Sequence, residues 1–252
     1  MDFYILKLIL LFVSGYIAGI INTIAGGGSF LTIPILIFLG LPPTVANATN
    51  RLSVFMQSLS GLRKFREHKV LPLKFGLIIS IPATVGALMG AYMATIVSDV
   101  AFKKYLAVFM VLMTLLTFLN PGKMLESRDV PISPAKWVFL TVAMFIVGIY
   151  GGFIQAGVGF LFLAAMSITG YDLLRGNALK MFVVLVLTTF SLIIFIASGK
   201  VNFFLGLVLG VGSVLGAHTG ASLSVKKGNK FIQRFVVVAV ISFAVLLLLD
   251  MR

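Results

Sequence analysis

The sequence contains no cysteine among its 252 residues, and it has only seven acidic residues and two histidines. The absence of cysteine excludes disulfides, thiolate metal sites and a cysteine nucleophile. The acidic residues lie at the termini, in predicted loops or at helix ends, so no carboxylate lies in a helix centre to carry a proton or a sodium ion. Neither a nucleophile–base pair nor a set of metal ligands can be assembled, and we expect no enzymatic activity and no cofactor.

Charged residues are also scarce, at 11% of the chain, whereas 60% of the residues are hydrophobic and the mean hydropathy is +1.14. A soluble fold could not bury so much apolar surface. Most of the apolar runs are long enough to cross roughly 30 Å of hydrocarbon as helices, which predicts an all-α, multi-pass membrane protein. The runs are 4–25, 71–97, 102–119, 137–155, 181–198, 203–225 and 231–249. The first run lacks a small-x-small cleavage site, so we expect it to be retained.

The net charge of +13 comes from basic loops, which are the usual sign of positive-inside topology in membrane proteins. No basic cluster is interleaved with aromatic residues in the manner of a nucleic-acid interface, so we expect no nucleic-acid partner.

The chain repeats itself at an offset of 130 residues. The glycine clusters 26–28 and 157–159 correspond with a slip of one to three residues. The other recurring pairs are Gly40 and Gly170, Asn47 and Asn177, Gly76 and Gly206, Gly86 and Gly216, and Gly90 and Gly220. A duplicated membrane unit with polar, glycine-broken segments at matching places predicts a transporter whose substrate site lies between the repeats.

The segments 29–39 and 160–169 are too short to cross a bilayer, and each is predicted to form a broken or re-entrant hairpin helix. If each short segment and the helix before it are counted as one hairpin, each repeat has three further crossings. Because three is an odd number, the two repeats are predicted to be inverted. Inversion puts most of the Lys and Arg residues on one side, whereas eight simple crossings in parallel repeats divide them almost evenly. We expect a first repeat over 1–119, a cytoplasmic linker over 120–135 and a second repeat over 136–252.

Polar and basic residues enter the apolar zone on the helix that follows each short segment. One face carries Asn47, Asn50, Arg51, Gln57, Ser58 and Gly61 in the first repeat, and Asn177, Lys180, Thr188 and Ser191 in the second. A charge at mid-bilayer costs around 2.5–3.5 kcal/mol, so such residues usually face a bundle interior or an aqueous cavity. The alternative is that Arg51 and Lys180 snorkel to the interface and that the asparagines cap helix starts.

The glycine clusters lie just before the short helices, where backbone N–H groups and the positive end of the helix dipole can hold an anion. The alternative is that they only permit close helix packing. We predict an anion site near the midplane, in which Arg51 grips two oxygens and Lys180 acts as a point charge. The candidate substrate-binding residues are Asn22, Gly27, Gly28, Ser29, Asn47, Asn50, Arg51, Gln155, Gly157, Gly159, Asn177 and Lys180.

The stretch GIINTIAGGGSFLTIP at 19–34, followed by GLPPTVANATNR at 40–51, resembles the first-repeat signature of the TauE/SafE family of sulfite and organosulfonate exporters. The second half follows the weaker second motif of that family, with Val158 where many members carry glycine. The resemblance covers essentially the whole chain. It implies a secondary transporter in the inner (plasma) membrane that exports small sulfur-containing anions such as sulfite, sulfoacetate or other organosulfonates.

Two other functions use similar residues and stay open at this point. A cationic pore lined by asparagine and threonine would make the protein an anion channel, and an uptake permease could carry a different small oxyanion. In each case we expect the partners to be a small anionic substrate and the lipid bilayer, with a homodimer left as an option.

Overall fold

A computed structural model describes residues 2–118, 132–166 and 169–250, and this part of the chain forms nine helices and no strand. The all-α prediction is therefore confirmed. The helices are α1 (Asp2–Ile24), α2 (Ser29–Phe38), α3 (Pro43–Glu67), α4 (Leu73–Ile96), α5 (Asp99–Phe118), α6 (Pro134–Phe153), α7 (Val158–Met166), α8 (Leu173–Ala197) and α9 (Phe203–Asp250).

Five helices within the described ranges are long and apolar enough to cross a membrane: α1, α4, α6, α8 and the first part of α9, Phe203–Lys227. Their outer faces are apolar and their inner faces carry polar groups. On α1, for example, Ile9, Val13 and Ile17 are exposed, whereas Ser14 and Thr23 are buried. This arrangement suits a lipid solvent, and the chain is a multi-pass membrane protein.

Two short helices, α2 and α7, occupy the segments that the sequence marked as too short to cross. They have 10 and 9 residues, which correspond to a length of roughly 15 Å each. The backbone turns with positive φ at matching positions around them. Gly26 (φ 102°) and Gly157 (φ 77°) precede the short helices, and Gly40 (φ 99°) and Gly170 (φ 82°) follow them. Glycine adopts this left-handed conformation without steric cost.

Cross-packing connects the two halves, because the first helix of each half lies against the fourth helix of the other half. A Cβ atom on Gly19 of α1 would collide with the carbonyl of Ser213 on α9. A Cβ atom on Gly148 of α6 would collide in the same way with Ala83 on α4. The two contacts are equivalent, because Gly19 and Gly148 are 129 residues apart and Ala83 and Ser213 are 130 residues apart. Gly19 and Gly148 are therefore sites of backbone contact between the halves.

Helices α3 and α8 lie in the middle of the bundle, and both bury most of their residues. They run antiparallel, since Arg51 lies over the ring of Phe195 while Gly61 lies next to Met181. Helix α3 contains too many polar residues to count among the apolar spans, and its surroundings of other helices explain how these residues are accommodated.

The structure departs from the sequence-based expectation at the C-terminal end. Separate crossings at 203–225 and 231–249 were predicted, but α9 is one continuous helix of 48 residues. That prediction was wrong because the hydrophilic stretch 226–234 was interpreted as a loop, although it contains no proline and consists largely of residues compatible with a helix. At the corresponding place in the first half, Val97 is extended (ψ 141°) and ends α4.

The predicted linker at 120–135 falls outside the described residues over 120–131. Its last two positions belong instead to the first turn of α6, which begins at Pro134. Proline is well suited to this place, because the N–H group that it lacks would have no partner within the helix.

Candidate functional site

The two glycine clusters meet each other. A Cβ atom built on Gly26 would lie 2.5 Å from the Cα atom of Gly159, and a Cβ atom on Gly159 would lie 2.5 Å from the Cα atom of Gly26. No residue larger than glycine fits at this crossing without a backbone shift. The segment between α1 and α2 is thus in direct contact with the start of α7. We call these two contacting segments, around Gly26 and Gly159, the glycine tips.

Asn47 and Asn177 make the same hydrogen bond in the two halves. The Nδ2 atom of Asn47 donates to the carbonyl oxygen of Phe153 at 2.9 Å, and that of Asn177 donates to the carbonyl oxygen of Ile24 at 3.0 Å. Phe153 and Ile24 are the last residues of α6 and α1. The asparagines therefore cap the ends of helices in the opposite half, and the interpretation that they cap helix starts was wrong.

Arg51 and Lys180 are both buried, with 0% and 1% of their surface exposed, so neither snorkels to an interface. The guanidinium of Arg51 donates to the carbonyls of Gly151 and Gly152, at the end of α6. The ammonium of Lys180 donates to the carbonyl of Thr23, at the end of α1, at 3.1 Å. A cation at a helix C-terminus is stabilised by the helix dipole.

Among the described residues, no carboxylate neutralises these two cations. Within the described residues, the ion pairs involve only Arg63, Lys64 and Glu67, at the far end of α3. Lys180 is held instead by a neutral amide, the Oδ1 atom of Asn177, at 2.5 Å. Helix-end carbonyls and an amide, rather than carboxylates, are therefore the partners of the two basic groups at the buried centre of the molecule.

Three further candidate residues fix the short helices. The Oδ1 atom of Asn22 accepts the N–H of Gly28 at 2.7 Å, at the start of α2. Asn50 accepts from Thr32 at 2.6 Å and donates to Ser29 at 3.1 Å, which joins α3 to α2. In the second half, the Nε2 atom of Gln155 donates to Thr188 on α8 at 2.9 Å.

A small cavity lies between the glycine tips and the middle of α3. Its volume of about 20 Å³ has room for roughly one water molecule. It is lined by Asn22, Gly26, Ser29, Val54, Gln57, Ser58, Gln155, Val158, Gly159, Lys180, Met181 and Val184.

The structure divides the twelve candidate residues into two groups. Those that line the cavity are Asn22, Ser29, Gln155, Gly159 and Lys180. Those that lie outside its lining are Gly27, Gly28, Asn47, Asn50, Arg51, Gly157 and Asn177. Among the second group, the side chains of Asn47, Asn50, Arg51 and Asn177 bond to other parts of the protein.

Several polar atoms of the cavity lining have no protein partner. The Oε1 atoms of Gln57 and Gln155 and the Oγ atom of Ser58 are buried without a hydrogen bond. The Lys180 ammonium has three donors, two of which bond to Thr23 and Asn177. A buried polar group without a partner costs about 1–3 kcal/mol, so the cavity is suited to a polar ligand, and the lysine favours an anion.

The sequence marked Gln57 and Ser58 as members of the polar face but did not include them among the candidate residues. It missed Val54, Met181 and Val184 entirely, because an apolar residue on a buried helix carries no sign that it faces a cavity rather than the core. Val54 and Val184 correspond at the offset of 130, so the repeat was the one signal that could have paired them.

The sequence model of the family described as "Sulfite exporter TauE/SafE" matches residues 11–247. The chain belongs to the TauE/SafE family. Similar proteins include the "Probable membrane transporter protein ORF9" of Sinorhizobium sp, which is 31% identical over 95% of this chain and 92% of its own length. The "Probable membrane transporter protein YfcA" of Escherichia coli K12 is 32% identical over 95% of this chain and 89% of its own length. No solved structure matches the chain.

The TauE/SafE signature of the first half coincides with the structural features of the site. The stretch 19–34 contains the end of α1, the glycine tip and the start of α2, and the stretch 40–51 contains the first turns of α3 with Asn47 and Arg51. These stretches thus contain Thr23, Ile24, Asn47 and Arg51, which bond across the two halves.

Proposed function

We propose that this chain is a membrane transporter that exports a small sulfur oxyanion, such as sulfite, sulfoacetate or another organosulfonate, across the inner (plasma) membrane. The family description names sulfite export, and the relatives named above are described as probable membrane transporter proteins. The observation that carries the proposal is the buried ammonium of Lys180 on a cavity that contains unpartnered polar atoms and, among the described residues that line it, no carboxylate.

In this proposal the anion takes the third N–H donor of Lys180 and displaces water from the cavity. The backbone N–H groups of Ser29 and Gly159, at the starts of α2 and α7, provide further donors at the positive ends of two helix dipoles. Charge-assisted hydrogen bonds of this kind are about twice as strong as neutral ones. The guanidinium of Arg51 already donates to two helix-end carbonyls, so Arg51 contributes its positive charge near the site rather than a direct hydrogen bond to the anion.

We further propose that the two halves are inverted repeats, each with a re-entrant hairpin formed by its first helix and its short helix. The end of α1 bonds to residues early in α8, and the end of α6 bonds to residues early in α3. Because α3 and α8 run antiparallel, these two helix ends approach the site from opposite directions. This geometry supports a pseudo-two-fold axis that relates the halves.

The size of the cavity supports an occluded state for this conformation. About 20 Å³ is too small for a sulfonate, so the substrate enters only when the contact between Gly26 and Gly159 opens. We propose that the hairpins move against the rest of the bundle to expose the site to each side in turn. Cysteine pairs that crosslink the hairpins to neighbouring helices are expected to block flux reversibly, and full flux in the crosslinked state would contradict this step.

Flux into proteoliposomes tests the function. The purified chain is expected to accumulate labelled sulfite or sulfoacetate with saturation and counterflow, and to discriminate against sulfate and chloride. Lys180→Met is expected to abolish most of this flux, whereas the control Lys200→Met, which removes a lysine bonded to Thr44 away from the cavity, leaves it intact. Large conductance without exchange would identify an anion channel instead, and equal loss in both variants would remove Lys180 from the site.

Labelling of single cysteines tests the inversion, and the absence of native cysteine makes such variants clean. Cysteines introduced at Lys69 and Lys200 lie in corresponding turns of the two halves, since Lys69 and Gly199 are 130 residues apart and both have a positive φ. They are expected to react with impermeant reagents from opposite sides of the membrane. Labelling from the same side would rule out inverted repeats while leaving the transport proposal intact.

A further inference from the structure

A second concave feature lies on the outside of the bundle, in a cleft between α3 and α9 with a volume of about 530 Å³. It shares no residue with the cavity. The residues that line it are Met56, Leu59, Ser60, Arg63, Lys64, Glu67, Val214 and His218.

The cleft has an apolar zone and a basic zone, arranged along α3. Met56 and Leu59 lie near the middle of the helix, and 47% of the Leu59 surface is exposed. Arg63 and Lys64 follow in the last turns of the helix, where the side chain of Arg63 is 85% exposed. An apolar track that ends in exposed cations has the layout that accommodates an acyl chain and its anionic headgroup.

The second half of the molecule provides an internal comparison. At the offset of 130, Arg63 and Lys64 correspond to Ile193 and Ile194 on α8, and His218 corresponds to Leu88 on α4. The matching surface is therefore entirely apolar at these positions. The counterpart helices α8 and α4 also contact each other, without charges at these positions, so contact between the two helices does not require the charges of the cleft.

Glu67 holds the two cations side by side without neutralising both. Its Oε1 atom lies 3.4 Å from the Nε atom of Arg63, and its Oε2 atom lies 3.1 Å from the Nζ atom of Lys64. Two positive charges face one carboxylate, and the planar guanidinium keeps further donors that suit a phosphate. Exposed pairs of this kind are weak, so a phosphate can compete with the carboxylate.

We propose that this cleft is a binding site for an anionic phospholipid, with an acyl chain along Met56, Leu59 and Val214 and the phosphate on Arg63 and Lys64. A free phosphate ion would leave the apolar zone without a function, whereas a lipid uses both zones. His218 also lines the cleft. The site is independent of the transported substrate.

Thermal unfolding of the purified full chain in detergent tests the proposal. Added phosphatidylglycerol is expected to raise the melting temperature more than phosphatidylcholine with the same acyl chains. The double variant Arg63→Gln and Lys64→Gln is expected to bind phosphatidylglycerol roughly 25-fold more weakly, about fivefold for each cation removed. The variant Glu67→Gln, which frees both cations, is expected to bind it more tightly.

Arg66→Gln is the matched control, because Arg66 is an exposed cation on the same turn that does not line the cleft. It is expected to behave as the wild type. An equal preference for both lipids, or equal weakening by Arg66→Gln and the double variant, would overturn the proposal in favour of a general surface charge. Stabilisation of the same size by soluble glycerol 3-phosphate would identify a phosphate site rather than a lipid site. Transport activity does not enter any of these measurements.

Discussion

Asn47 in the first half and Asn177 in the second half donate equivalent hydrogen bonds to the last carbonyl of a helix in the other half, but the cations beside them differ. In the first half, Arg51 follows Asn47 by four residues and bonds to two carbonyls. In the second half, Lys180 follows Asn177 by three residues, bonds to one carbonyl and faces the cavity. The two halves share a framework and differ at the site.

The offset of 130 makes this difference explicit. Arg51 corresponds to Met181, Lys180 corresponds to Asn50, and Gln57, whose buried Oε1 atom has no partner, corresponds to Leu187. The asparagines that bond to the helix ends occupy equivalent positions, and so do Val54 and Val184 in the cavity lining. The two cations and Gln57 have no equivalent in the other half. Under the proposed function, an anion bound in the cavity would meet one cation on one side.

The largest expected loss of stability follows from disrupting the contact between the glycine tips, which is the most symmetric feature of the two halves. Gly26→Ala combines a clash with the Gly159 backbone and a positive φ, and we expect it to destabilise the fold by about 4 kcal/mol. Gly159→Ala introduces the clash alone and is expected to cost about 2 kcal/mol. Thermal or denaturant unfolding in detergent measures both.

Gly40→Ala is the control for backbone strain, since Gly40 has a positive φ of 99° but nothing within 4 Å of a Cβ atom. We expect it to cost about 1 kcal/mol, from strain alone. If Gly159→Ala proves as mild as Gly40→Ala, the two tips do not touch in solution and the symmetric contact is absent.

The two cations provide the next test, because the comparison assigns them different roles. Lys180→Met is expected to weaken anion binding roughly 10- to 100-fold, the value of a hydrogen bond to a charged group. Arg51→Met is expected to change anion affinity less than about threefold but to destabilise the fold by about 2–4 kcal/mol, because two buried carbonyls lose their donors. Binding isotherms and unfolding curves on both variants separate the two effects.

The opposite result would assign anion binding to Arg51 rather than to Lys180. If Arg51→Met removes binding while the fold stays intact, the arginine fork contacts the substrate in another conformation of the transporter. Arg51→Lys refines this test, since a lysine keeps the charge but satisfies the two carbonyls less well than a planar fork. We expect it to recover affinity fully and stability in part.

Many of the residues that connect the two halves could be predicted from the sequence because they occur in both repeats. The offset of 130 marked Asn47 and Asn177 and the glycine clusters, and the short apolar segments predicted α2 and α7. The partner of a buried cation could not be predicted in this way. The carbonyls that Arg51 contacts lie a hundred residues away, and their position depends on how the two halves cross.

The composition of 226–234 gave a misleading signal for a different reason. A hydrophilic stretch between two apolar runs usually indicates a loop, but lysine, glutamine and arginine also support helices, and α9 runs through it. Residue types alone do not distinguish a polar helix from a polar turn unless proline or a capping pattern interrupts them.

The smallest expected effect comes from a substitution at Gln57, where the two halves differ because the counterpart is Leu187. Gln57→Leu makes the two halves alike at this position and removes a buried oxygen that has no partner. We expect the protein without substrate to become more stable by about 1 kcal/mol, because that oxygen no longer has to be desolvated. Substrate affinity is expected to fall about threefold to tenfold, the value of a neutral hydrogen bond. Opposite signs in unfolding and binding would identify Gln57 as a ligand of the anion, whereas a fall in both would make it a packing residue of α3.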